Sequence, residues 1–242
     1  MIQKIKRFLP APLEFRLNCQ ELMDDLQSDR NALYATLDQF VFINRWLSRS
    51  RTLLIRYIFS DMLKRDQRSY TLVDIGAGGC DISAWLIGFC EKKGISLSIT
   101  CIDHDPRVIT YARKHYGHLS QLNIVEMDVR TLFASGHTYD YIFANHFLHH
   151  LDDEHIVSML RGLNTVCRYR YLINDLQRSK LSYVGYSLGA ALLFRHSFAF
   201  ADGRLSIRRG FLRKELVSFC EMAGLKNARV GRIVPGRLFV YN

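Results

Sequence analysis

None of the six cysteines is spaced as a CxxC pair. Cys19, Cys80, Cys90, Cys101, Cys167 and Cys220 sit in apolar or element-like surroundings and read as reduced packing residues of a cytosolic protein. No secretory signal is expected either. Lys4, Lys6 and Arg7 are basic, but no apolar core follows them before Pro10 and Pro12. The longest apolar run, 181–194, is broken by Ser, Tyr and Gly and falls short of the roughly 18–20 residues that span a bilayer. There is no internal repeat, long linker or low-complexity stretch. What is present is a chain of 242 residues, 48% apolar, enough to build one large domain with an appended piece. The formal net charge of +10 is uneven: +4 over 1–70, −4 over 71–166 and +10 over 167–242. A basic last third, with Arg195, Arg204, Arg208, Arg209 and Arg213, suits an anionic substrate, an acidic carrier protein, nucleic acid or lipid. It equally suits a solvated face.

Residues 12–66 carry helical spacing, as in Leu33, Leu37, Phe40 and Val41, without strand punctuation. They read as an N-terminal helical cap, within which Asn44, Arg45, Trp46 and Arg49 are placed to reach a pocket. From residue 70 the pattern alternates. Strands are expected at 71–75, 97–102, 122–126, 139–144 and 169–174, and helices at 82–93, 106–116 and 154–167. A loop is expected over 131–137. Such alternation implies a parallel sheet with helices on both faces. Residues 176–210 break it with an apolar helix at 181–194 and a turn at Asp202-Gly203, which reads as an inserted lid. A helix at 214–223 and strands at 225–234 and 237–241, joined through Pro235-Gly236, complete the sheet with an antiparallel last strand. The expected fold is α/β, a Rossmann-like, doubly wound, mostly parallel seven-stranded sheet. The expected divisions are 1–69 (cap), 70–175 (core), 176–210 (lid) and 211–242 (closing helix and hairpin).

The core is organised around Asp74-Ile75-Gly76-Ala77-Gly78-Gly79-Cys80, a strand running into glycines that open a helix. Glycines let a ligand approach the backbone closely, and free N–H groups at a helix start face it. A dinucleotide fingerprint wants G-x-G-x-x-G, but Asp81 stands where the third glycine belongs. Carboxylates at Asp74 and Asp81 oppose a pyrophosphate and suit a ligand with a positive sulfonium and an ammonium group. In open α/β sheets ligands bind beyond the carboxyl ends of the strands. Those ends carry Asp103 and His104, then Asp128 and Val129, then Asn145 and His146, then Asn174 and Asp175. Asp103 can accept from both ribose hydroxyls, and Asp128 from an exocyclic amine.

Val73-Asp74-Ile75-Gly76-Ala77-Gly78-Gly79, Cys101-Ile102-Asp103-His104-Asp105-Pro106, Glu126-Met127-Asp128-Val129 and the run from Tyr139 through Asn145 to His149-His150-Leu151 occur in order. Together they resemble the motifs of class I S-adenosylmethionine-dependent methyltransferases, in the branch acting on small molecules and quinone precursors. Asn174-Asp175-Leu176-Gln177-Arg178-Ser179, Ser206-Ile207-Arg208-Arg209-Gly210-Phe211, Glu21-Leu22-Met23-Asp24-Asp25 and Ile43-Asn44-Arg45-Trp46 are similar to bacterial methyltransferases of polyketide-type pathways. The resemblance implies S-adenosyl-L-methionine as cofactor, held by Asp74, Gly76, Ala77, Gly78, Asp81, Asp103, His104, Asp128, Val129 and Asn145. It implies methyl transfer by in-line displacement, which works chiefly by positioning.

A general base would be a histidine. The candidates are His146, His149 and His196, with Trp46, His150, Tyr183, Tyr186 and Arg208 assigned to the acceptor. No metal is expected, because no carboxylate-rich cluster with metal spacing accompanies His146, His149 and His150. Asn145-His146-Phe147-Leu148 departs from the Asn/Asp-Pro-Pro-aromatic motif of many nitrogen methyltransferases. The aromatic lid suits a hydrophobic acceptor, which favours a small aromatic or polyketide-type molecule methylated at oxygen. The alternative, an RNA methyltransferase using the basic last third, lacks an appended RNA-binding module and aromatics interleaved with Lys/Arg.

Overall fold

The structure, a computed structural model, describes residues 13–194 and 196–242, so the expectations resting on Lys4, Lys6, Arg7, Pro10, Pro12 and Arg195 lie outside the described residues. Seven strands form one sheet in the order β3-β2-β1-β4-β5-β7-β6. They are β1 (Ser69–Ile75), β2 (Ser96–Asp103), β3 (Leu122–Glu126), β4 (Tyr139–Asn145), β5 (Cys167–Leu176), β6 (Arg229–Ile233) and β7 (Arg237–Tyr241). The first five are parallel, and β7 runs antiparallel to both β5 and β6. This is the expected Rossmann-like sheet. The order reverses between β1 and β4, so a crevice opens beyond their carboxyl ends.

Nine helices accompany the sheet among the described residues. Before it come α1 (Arg30–Trp46) and α2, which starts as Ser50–Leu53 and continues through a π-helical stretch, Leu54–Phe59, into Ser60–Met62. Within and after it come α3 (Asp81–Glu91), α4 (Pro106–Tyr116), α5 (Val129–Ala134), α6 (Asp153–Val166), α7 (Lys180–Leu193), α8 (Ala199–Arg209) and α9 (Arg213–Met222). Strand side chains alternate between two cores, as a period of two requires. Leu72, Tyr141, Phe143 and Leu172 face α2 and α3, against Leu54, Ile58 and Leu86. Val73, Ile142, Ala144 and Ile173 face α6 and α9, against Leu160, Leu163 and Leu216. Each fully buried aliphatic side chain contributes about 1.5–3 kcal/mol. α1 packs Leu33 and Leu37 on Val108 and Tyr111 of α4, and Ile43 on Ala190, Phe194 and Ala199. It thereby bridges the sheet's edge helix and the α7–α8 pair.

The structure differs from the sequence-based expectations in three places. The expected loop over 131–137 begins inside α5, because the Asp128 side chain accepts from the Arg130 N–H and caps a helix start. Asp202-Gly203 is not a turn but the middle of α8. Its carboxylate accepts from the N–H groups of Leu22 and Met23 at 3.0 and 2.9 Å, which pins the N-terminal segment to α8. Gly203 is there for room: a Cβ would lie 2.2 Å from the Tyr186 ring. Finally, the strand expected at 225–234 is confined to β6, since Leu225 follows the left-handed Gly224 that ends α9. No helix among the described residues is long and apolar enough to cross a membrane.

Candidate active site

A cavity of about 600 Å³ opens at the carboxyl ends of the strands. All ten residues expected to hold the cofactor line it: Asp74, Gly76, Ala77, Gly78 and Asp81 around the glycine turn, Asp103 and His104 after β2, Asp128 and Val129 after β3, and Asn145 after β4.

On the β1–β2 side the geometry is local. Gly76 has φ +64°, and a Cβ there would sit 2.4 Å from the Phe147 ring. Gly78 has φ +53°, and a Cβ there would meet nothing within 4 Å, so the turn is an open cradle. Asp103 closes it, accepting from the N–H of Gly78 and of Asp105, both at 3.1 Å. Asp74 accepts from the Ser83 hydroxyl at 2.6 Å. Asp81 accepts from Asn44 Nδ2 at 2.8 Å, while its second oxygen is buried with no partner. Burial pushes Asp74 up to about 7, offset in part by the Ser83 bond and increased by Asp81 and Asp103. Burial also raises Asp81 and Asp103. Three neighbouring carboxylates, offset only by Arg51 near Asp81 and by His104 at 3.8 Å from Asp103, fit a positively charged ligand and would repel a phosphate. Asp128 is already engaged by the backbone and side chain of Arg130, which hold its carboxyl below the usual range.

A file of amides joins the two sides. Asn174 donates to Asn145 at 2.8 Å, Asn145 to Asn44 at 3.3 Å, and Asn44 to Asp81. Of the four cap residues expected to reach a pocket, only Asn44 lines the cavity; Arg45, Trp46 and Arg49 are exposed.

The β4–β5 side is assembled from distant segments. His146 follows β4 with φ +57°, an uncommon conformation for a non-glycine residue. Its Nε2 accepts from the buried Arg237 guanidinium. Burial, with Arg237 beside it, holds the His146 imidazole well below its ordinary range. That ring is neutral and its lone pair is spent. His149 is 1% exposed, with Nδ1 2.7 Å from Asp175 Oδ1 and Nε2 3.6 Å from Glu21 Oε1. Burial acts to raise Asp175, but His149 outweighs it and holds the carboxyl well below the carboxylate range. An ionised Asp175 accepts the Nδ1–H, and the tautomer of the neutral ring that fits this contact carries its lone pair on Nε2. His150 pairs with Asp24 at 3.0 Å. Burial disfavours its charge, yet Glu21 and Asp24 push it up to about 9. Arg209 donates to the His149 carbonyl at 2.9 Å and to Asp24 at 3.4 Å.

His146, His149, His150 and Tyr186 line the cavity; His196, Trp46, Tyr183 and Arg208 do not. His196 is exposed, and Trp46 is 58% exposed beneath Arg45. Tyr183 is turned into the α7–α8 contact, where its hydroxyl accepts from Arg204. Arg208 lies on α8 outside the cavity wall. Glu21, Asp24, Arg209 and Arg237 line the cavity and Asp175 supports it; the sequence offers Arg209 only as part of a basic stretch and Asp175 only as a strand-end carboxylate, and gives Glu21, Asp24 and Arg237 no site role. The Glu21–Asp25 run and the acidic end of β5 were the available signals.

A family described as "Methyltransferase domain" matches residues 72–169. Over that segment, less than half of the chain, the sequence is similar to that family. No curated protein matches the chain. Among solved structures, the plantazolicin methyltransferase BpumL, in complex with SAH, superposes with a TM-score of 0.61 at 13% identity, covering 88% of this chain and 93% of that one. PigF with SAH gives 0.58 at 18% identity, covering 100% of this chain and 67% of the other. The carbon methyltransferase CurJ gives 0.55 at 15% identity over 76% of this chain and 51% of its own. At these identities the likeness is one of fold. It extends beyond residues 72–169 to the helices before and after them.

Proposed function

We propose that this S-adenosylmethionine-dependent methyltransferase methylates a hydrophobic small molecule, an aromatic or polyketide-type natural-product intermediate, at oxygen. The observation that carries the reading is one continuous cavity that joins the carboxylate-lined glycine turn to a histidine-lined polar pocket. S-adenosylmethionine, when bound, supplies an electrophilic methyl on a positively charged sulfur. Asp103 would receive its ribose hydroxyls, and Asp74 with the free oxygen of Asp81 would face its positive groups. Burial of Asp74 and Asp81 keeps water from screening those charges. Leu37, Phe40, Ile43, Leu47 and Ile207 give the remaining wall an apolar surface for the acceptor's body.

We assign the acceptor's reacting hydroxyl to His149, whose Nε2 carries a lone pair because Asp175 holds Nδ1. His146 lacks that capacity, and His196 stands outside the cavity. The acceptor class is supported by a structural neighbour named as a plantazolicin methyltransferase and also solved with a monoazolic desmethylPZN analogue. Part of the basic excess of the last third is internal: Arg178, Arg209 and Arg237 are buried and occupied by internal partners.

The test offers methyl-labelled S-adenosylmethionine with phenolic and polyketide-type acceptors in one arm and with tRNA and rRNA in the other. Label appearing on the oxygen of a small acceptor is expected. Label entering RNA alone would overturn the reading.

A further inference from the structure

The polar pocket on the β4–β5 side is built like a cation site. Glu21, His149 and His150 each bring one ligand atom to within 4.8 Å of the other two. The residues around them supply what a metal site needs. Each histidine has its Nδ1 on a carboxylate, His149 on Asp175 at 2.7 Å and His150 on Asp24 at 3.0 Å. A carboxylate on one ring nitrogen fixes the ring and raises the basicity of the other nitrogen, the usual support behind a metal-binding imidazole. The Asp175 carboxylate also accepts from the backbone N–H of His149 at 3.2 Å, so ring and backbone are held by one group.

Glu21 gives the second, independent sign. The residue is 2% exposed. Its Oε2 accepts from the Ser206 hydroxyl at 2.9 Å, but its Oε1 has no hydrogen-bond partner. The nearest cationic and imidazole nitrogens lie 3.8 Å away on Arg209 and 3.6 Å away on His149, beyond hydrogen-bond length. A buried carboxylate oxygen left unpaired costs free energy unless something positive reaches it.

The charges around the pocket are Glu21, Asp24, Asp175 and Asp202 against Arg16, Arg209 and Arg237. Four carboxylates against three guanidinium groups leave negative charge in excess around the three ligand atoms. Arg209 opposes the site, but its Nε is committed to the His149 carbonyl and its Nη1 contacts Asp24.

We propose that Glu21, His149 and His150 bind one divalent first-row transition-metal cation, of the zinc and manganese type, on the acceptor side of the cavity. Two imidazoles and one carboxylate are the donor set such ions take while keeping coordination positions open. The proposal rests on the methyl-acceptor reading and deepens it. The open positions would face the acceptor's hydroxyl oxygen and lower its pKa, its proton leaving to solvent. His149 would then act on the acceptor through the ion.

The test is a titration of metal-stripped, full-length protein with Zn²⁺ and separately with Mn²⁺, read by calorimetry and by metal content after dialysis. The folded state and the cofactor side are monitored in the same samples by S-adenosylhomocysteine affinity. One equivalent of metal is expected. Glu21→Gln and His150→Gln should each weaken it by at least about tenfold, and Asp175→Asn by about 10–100-fold, with S-adenosylhomocysteine affinity unchanged. Absence of binding to the wild-type protein would overturn the metal site, as would binding undiminished in both Glu21→Gln and His150→Gln. Methyl transfer that persists in metal-stripped protein would leave His149 acting on the acceptor directly, and would remove the ion from the reaction. Failure of S-adenosylhomocysteine to bind would fall on the cofactor reading, while the metal titration would still be decided by its own stoichiometry.

Discussion

The two sides of the cavity are built in opposite ways. On the β1–β2 side the functional groups lie within a turn or two of the strands that carry them: Asp74 ends β1, Asp81 opens α3 and Asp103 ends β2. On the β4–β5 side, Glu21 and Asp24 come from the N-terminal segment, His149 and His150 from the turn after β4, Asp175 from β5, Arg209 from α8 and Arg237 from β7. The first side is a sequence motif that needs only a parallel sheet to assemble. The second exists only after α1, the α7–α8 pair and the terminal hairpin have docked. A cofactor common to many reactions can be held by local motifs, whereas an acceptor pocket has to be composed from elements that vary.

Variants can break this comparison. Asp175→Asn should have the largest effect. It removes the group that fixes the His149 tautomer, and turnover should fall about 10²–10⁴-fold, as loss of proton management does. Steady-state methyl-transfer rates check this; unchanged turnover would take His149 out of the reaction. Asp103→Ala, on the other side, should weaken S-adenosylhomocysteine by about 1–3 kcal/mol through lost charge-assisted hydrogen bonds. Calorimetry reads that loss, and an unaltered affinity would remove Asp103 from the cofactor site.

The sequence made the first side legible because its signals are short-range: a strand, glycines at fixed offsets, then Asp81 in place of a third glycine. The sheet was readable for the same reason, since alternating apolar strands and capped helices declare themselves one at a time. The second side was not. Nothing local says that Glu21 meets His149, or that Arg237 takes the lone pair of His146. Composition could not sort the basic last third: Arg213, Lys214, Lys226, Arg229 and Arg232 face outward, whereas Arg178, Arg209 and Arg237 turn inward as structural cations. Asp202-Gly203 read as a turn because those residues favour turns, and tertiary packing against Leu22, Met23 and Tyr186 overrode that preference.

Two smaller effects sharpen the contrast. Gly203→Ala would drive a methyl group into Tyr186 and should destabilise the α7–α8 pair by about 1–3 kcal/mol. The change should appear as a lowered Tm that S-adenosylhomocysteine only partly restores; an unchanged Tm would mean that the pair is loosely packed. The remaining effect is on pH. Asp74 is raised to about 7 in the folded chain, so the folded state keeps a proton that the unfolded state loses near pH 4. Stability should therefore fall as pH rises from about 4 towards 7 and level off above it. Affinity for the cationic cofactor should move the other way, rising a few-fold as Asp74 ionises through about 7. Asp74→Asn should flatten both profiles, and denaturant titrations and calorimetry at several pH values check them.

The most direct test of the two-sided site is a calorimetric titration of S-adenosylhomocysteine into the wild-type and Asp175→Asn proteins. One equivalent bound with the same affinity in both, while only the wild type turns over, is the predicted result. No binding to the wild type, or binding lost together with Asp175, would contradict it.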